Sequence, residues 1–218
     1  VFQSFINKKD DELISLLKFN NEILNNKKVR TIASLIREKE SLGATRFFGV
    51  PDPNVHFLRL PFYETGSIKK STPTANDKKI MSNIISEIKP HQIYVAGDLA
   101  DPHGTHKVCL DIFFDVLQDL KNEKFMKDCW VWLYRGAWHE WEIHQIDMSV
   151  PMSPNQVLRK RKAIFYHQTQ KDNVMFQGDD NREFWVRTED RNSAIAKRFR
   201  EIGLSDYAAI ETFKRHHF

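Results

Sequence analysis

The chain has 218 residues, 41% hydrophobic and 12% aromatic, which suits one packed domain and excludes a disordered chain. Its net charge of +4 and isoelectric point near 9.0 permit an acidic partner without requiring one, because both signs are interspersed along the chain. Only Cys109 and Cys129 are present, which argues against a disulfide framework or a cysteine zinc site, and no stretch is apolar and long enough to span a membrane, so the chain reads as cytoplasmic.

Residues 1–27 are polar and rich in Asn and Lys, with Leu13, Leu16, Leu17, Ile23 and Leu24 near helical spacing, as in a peripheral helix or insertion. Because the chain opens on Val1, an upstream segment is expected to have been lost. A second helix is predicted over 30–48: Ile32, Leu35, Ile36, Leu42 and Phe47 form one stripe, Gly43 is an internal weak point and Gly49 supplies the cap. Val55, Phe57, Leu58 and Leu60 suggest a strand over 54–61, followed by a loop to Ala75. Thr74 to Asp77 reads as a capping box for a helix carrying Ile80, Ile84, Ile85 and Ile88, stopped by Pro90.

The apolar run over 92–97 is a buried strand, and it delivers Asp98, Asp101, His103 and His106 to the start of the next helix. In an open α/β sheet the carboxyl ends of the strands form the ligand crevice. His103 and His106 are spaced i, i+3, so both rings can face one side of a first helical turn and share a metal, or divide metal binding and proton transfer between them. Asp and His at such a place can also simply cap a helix.

The helix over 105–121 buries Cys109, Ile112, Phe113, Val116, Leu117 and Leu120. Strands are expected over 129–134 and 143–150. Four of the five tryptophans lie between Trp130 and Trp141, as core packing or as a stacking wall for a sugar ring or base. His139-Glu140 with His144 does not make a metalloprotease site, because that chemistry needs its His pair at i, i+4 on a helix. Ser153-Pro154-Asn155-Gln156 opens a helix running to about Gln168, on which Arg159 to Lys162 read as a solvated basic face. Two more helices are expected, over 182–202 and 205–217. The alternation predicts an α/β, Rossmann-like fold with a mainly parallel sheet, helices on both faces and C-terminal helices.

A family resemblance enters through several of these segments. Lys89-Pro90-His91, the strand, Asp98 and Asp101-Pro102-His103-Gly104-Thr105-His106 resemble the second signature of the PIG-L/LmbE superfamily of zinc-dependent N-acetylglucosamine deacetylases. Arg37 to Glu40 with Ala44 and Phe48-Gly49-Val50 is similar to the helix of that family in which an Arg reaches substrate, and Lys162-Ala163 with His167 and Gln170 is similar to its later motif. Leu60 to Gly66 resembles proteins in which such a domain follows a glucosamine-6-phosphate deaminase domain. The resemblance covers about residues 29–175 and implies one domain over 1–218, N-terminally truncated, with 1–28 as a peripheral helix or insertion.

Carried over residue by residue, the resemblance makes His106 a zinc ligand and His103 the imidazole that stabilises the oxyanion and protonates the leaving amine. Arg37 becomes the substrate-orienting cation, Asp98 a second substrate-binding residue, and Asp101 a residue of the catalytic loop where relatives often carry Tyr. The first signature, a strand ending in His-Pro-Asp-Asp with the other ligands and the general base, does not occur in this sequence. The implied function is a zinc-dependent deacetylase of an N-acetylglucosamine derivative, with zinc weakly held or absent and activity missing in this chain alone. The alternative is a non-catalytic sugar- or sugar-phosphate-binding domain of a deaminase fusion protein. Either way the expected partner is an amino-sugar small molecule, without a membrane. Nucleic acid ranks below it, since no aromatic RNA-binding motif accompanies residues 159–162.

Overall fold

The computed structural model describes residues 27–63, 70–97, 104–136, 140–171 and 182–218. Helix α1 (Lys27–Phe47) follows its apolar stripe and ends where Gly49, at φ +87°, lets its N–H reach the Arg46 carbonyl at 2.9 Å. Gly43, a weak point for an isolated helix, has a packing reason here: a Cβ would lie 2.8 Å from Cδ1 of Tyr166.

The segment expected as a strand over 54–61 pairs with no other strand. It opens as a short 3-10 turn, Asp52–Asn54, and continues as extended chain with no ladder bonds. Arg59 adopts φ +47° and Pro61 has no N–H to donate, so the segment serves instead to carry Leu60 and Phe62 into the core.

Helix α2 (Ala75–Ile88) starts at the expected box. Asp77 accepts from the Thr74 N–H and hydroxyl, both at 2.8 Å, and from the Phe62 N–H at 2.9 Å. The helix stops at Lys89, left-handed at φ +50°, before Pro90. Strand β1 (Gln92–Ala96) leads to helix α3 (Thr105–Leu120), and β2 (Trp130–Tyr134) lies parallel to β1 with Ala96 opposite Tyr134. Leu110, Ile112, Phe113, Val116 and Leu117 of α3 make the main core with Ile85, Val131 and Leu133.

Past β2 the expectations shift in places. Ile143–Gln145 is a 3-10 turn, and the strand begins later as β3 (Met148–Met152). Pro151 is tolerated in β3 because β3 pairs on one side only, with β4. Helix α4 (Pro154–Ile164) opens on the predicted cap, with Gln156 N–H on Ser153 Oγ at 3.4 Å, and is shorter than expected. Helix α5 (Phe184–Glu201) ends at Gly203, at φ +93°.

The helix expected over 205–217 is instead strand β4 (Ala209–His216). Its β-branched Ile210 and Thr212 are buried on one face at period two, a pattern that helical spacing does not produce. The sheet order is β1-β2-β4-β3, and β4 runs antiparallel to both neighbours, so β1, β2 and β3 share one direction. Leu133 pairs with Lys214, which puts Val131, Leu133, Ile210 and Thr212 on one face. That face takes α3, and α5 through Ile195 and Ala196. On the other face Lys160 of α4 meets Glu211. An open α/β sheet flanked by helices is thus observed, with Tyr94, Trp130, Tyr134 and Val150 exposed on that other face.

Candidate functional site

The carboxyl ends of β1 and β2 lie side by side, and β4 begins and β3 ends at the same edge. The chain leaves β1 through Gly97, which is buried and donates its N–H to the Tyr134 carbonyl at 2.7 Å. A Cβ on Gly97 would stand 2.8 Å from Leu133 Cβ and 3.1 Å from Trp141 Cζ2, so only glycine fits this exit from the strand. The chain re-enters at Gly104, left-handed at φ +67°, whose carbonyl takes the first α3 bond from Val108 at 3.0 Å.

Asp98, Asp101 and His103 lie outside the described residues, as do Trp138 and His139. His106 is exposed in the first turn of α3, close in sequence to the carboxyl edge of β1. Arg37 is exposed on α1, which packs against α4 and the Asp52–Asn54 turn. Its neighbours anchor the helix: Glu38 accepts from Arg59 at 2.7 Å, and Glu40 from the Thr169 N–H and hydroxyl at 2.8 and 2.7 Å.

The tryptophan-rich stretch divides. Trp132 and Trp141 are buried, as core packing requires. Trp130 is 44% exposed on the outer face, with the Arg215 guanidinium stacked on it at 3.6 Å. Trp141 donates its indole N–H to the Leu133 carbonyl at 3.2 Å and lies 3.9 Å beneath the Arg135 guanidinium.

A set of charged side chains at this edge was not visible in the spacing. Arg191 joins Glu140 at 2.5 Å and Glu211 at 2.7 Å, and Lys160 joins Glu211 at 2.6 Å and Asn192 at 2.7 Å. Burial pushes the Glu211 carboxyl up, but Arg191 and Lys160 outweigh it and hold the carboxyl below its ordinary range. The Tyr134 phenol is raised, by burial first and then by the Glu211 charge. Only Arg159 and Lys162 of the basic run are exposed, since Arg161 also pairs, with Glu189 at 2.5 Å. Contacts that join a loop residue to three separate elements leave no periodic trace in the sequence.

Among the described residues no three His, Cys, Asp or Glu side chains come together as a metal site. The donors described here therefore do not fit a zinc ion on their own, because a catalytic zinc takes about three protein ligands.

No known family profile matches the chain. Among solved structures, the N,N'-diacetylchitobiose deacetylase from Pyrococcus horikoshii superposes with a TM-score of 0.52 at 18% identity, covering 84% of this chain and 63% of that one. The conserved protein TT1542 from Thermus thermophilus gives 0.53 at 15% identity, over 82% and 72%. The A40926 pseudoaglycone deacetylase Dbv21 gives 0.52 at 14% identity, over 84% and 71%. The chain thus shares its fold with these solved structures, two of them deacetylases.

The nearer likeness in sequence is to a putative glucosamine-6-phosphate deaminase-like protein of Bacteroides thetaiotaomicron, 45% identical over 223 residues. That match takes in 97% of this chain but only 34% of the relative, so the chain spans about a third of the relative's length.

Proposed function

We propose that this chain forms part of a hydrolase that removes the acetyl group from an N-acetylglucosamine derivative, with the carboxyl edge of β1 as its site. The observation that supports this most is the strand–Gly97–Gly104–α3 arrangement in a chain with a deacetylase fold. In this reading His103 stabilises the oxyanion and protonates the leaving amine, and Asp101, two positions before it in sequence, is the other catalytic residue. Asp98 and Arg37 orient the sugar, Arg37 through the fork that suits a phosphate or a pair of hydroxyls. His106 is the residue assigned to zinc. Among the described residues no three donors come together as a metal site, so in this reading the remaining ligands come from outside them. The length of the Bacteroides relative leaves room for them.

A second reading is supported by that relative's name: a sugar-phosphate-binding domain of a deaminase-like protein, working through Arg37 without metal.

Substitutions in a polypeptide that carries this chain together with a His-Pro-Asp-Asp segment separate the two. His106→Ala should remove zinc and activity together. His103→Ala should keep zinc and lower kcat about 100-fold. Arg37→Ala should raise KM with kcat little changed, as loss of uniform binding does. Equal activity in all four proteins would refute these assignments.

A further inference from the structure

Arg191, Glu140, Glu211 and Lys160 bring charge out of solvent beside the site. The Arg191 side chain is 8% exposed, and besides its two carboxylate bonds its Nε is buried with no hydrogen-bond partner among the described residues. Glu140, 12% exposed, takes Arg191 on Oε2 and the Thr212 hydroxyl at 2.6 Å and the Trp141 N–H at 2.9 Å on Oε1. Trp141 in turn hangs from the Leu133 carbonyl and abuts Gly97, one residue before Asp98. Contacts therefore run from α5 and β4 through Glu140 and Trp141 to the exit of β1. A buried ion pair is a poor source of stability, because desolvation offsets the attraction, and its best-attested use is to select one arrangement over others.

We propose that Glu140 and Trp141 are positioning residues: they hold the exit of β1 at Gly97 against β2 and so fix the backbone from which the chain leaves the strand. The proposal rests on the reading of this edge as the site. Glu140 fixes the backbone of Trp141, and the indole closes the space that a side chain at position 97 would need. Arg191 and Thr212 keep the Glu140 carboxylate from turning to solvent.

Amide hydrogen exchange in this chain tests the proposal without any activity. The proteins are wild type, Glu140→Gln, Trp141→Phe and, as a control on the same loop, Glu142→Gln, whose carboxylate makes an exposed ion pair with Arg198 at 2.9 Å. Exchange at Gly97 and Val108 should speed up about tenfold or more in the first two variants, with Val116 and Leu117 within about twofold of wild type. Glu142→Gln should change neither. A merely structural role would speed all four amides together, and that result, or an unchanged Gly97, overturns the proposal. If Trp141→Phe does not fold, Glu140→Gln decides alone.

In a polypeptide that releases acetate, the two variants should lower kcat with KM unchanged, and wild-type turnover in both would also overturn it. Altered exchange at Gly97 without acetate release from any such polypeptide would leave the positioning role standing and remove the deacetylase reading.

Discussion

Asp77 is fully buried and accepts three hydrogen bonds through its carboxylate. Burial alone would raise its pKa, but the Phe62 and Thr74 donors outweigh that and leave it below the ordinary value of 3.8. The folded chain thus binds this proton less readily than the unfolded one. The stabilisation is complete above 3.8 and is lost as pH falls through the lower folded value. Asp77→Asn turns an NH2 group toward these donors and should cost about 3 kcal/mol at neutral pH by urea unfolding. The gap to wild type should narrow in acid, and a gap independent of pH would contradict this account. Gly97 gives a second test at this scale. Gly97→Ala drives a methyl into Leu133 Cβ and Trp141, neither of which can swing away from the core, and should cost about 2 kcal/mol or more in the same assay. An alanine variant as stable as wild type would mean that β1 leaves the sheet by another path.

The elements that came directly from local pattern are those whose instructions are local. Ser153 and Gln156 announce α4, and the bonds they make, Ser153 N–H to Gln156 Oε1 at 2.8 Å and Gln156 N–H to Ser153 Oγ at 3.4 Å, are the expected ones. Ser153→Ala should therefore lower stability by about 1 kcal/mol, read as a lower Tm with unchanged folded spectra. No change in Tm would show that Pro154 alone sets the helix start. Strand β4 was missed because Lys214, Arg215, His216 and His217 mask its alternation, and its apolar partners come from α5 and β3. The segment over 54–61 fails as a strand for the converse reason: its apolar residues are real core members, but Arg59 and Pro61 deny it a ladder. At the site, the passage from β1 through a loop into α3 was legible from the change of pattern between strand and helix. The Glu140–Arg191–Glu211–Lys160 set was not, because no spacing relates residues that only the folded sheet brings together.

At the scale of the whole molecule, the fold is that of deacetylases, and no helix among the described residues is long and apolar enough to cross a membrane. Three strands in one direction open their carboxyl ends to a common edge, and the charged set of α4, α5 and β4 braces that edge. The chain spans about a third of the length of a relative with a deaminase-like name, and what is proposed for it is deacetylase chemistry at the carboxyl edge of β1. It is tested most directly by giving an N-acetylglucosamine derivative and zinc to a polypeptide that carries this chain and a His-Pro-Asp-Asp segment, and following acetate and free amine with time. The account predicts that both appear in equal amounts and that His103→Ala abolishes nearly all of the release. Binding of a sugar phosphate that depends on Arg37, with no acetate released from any acetylated glucosamine, would contradict it.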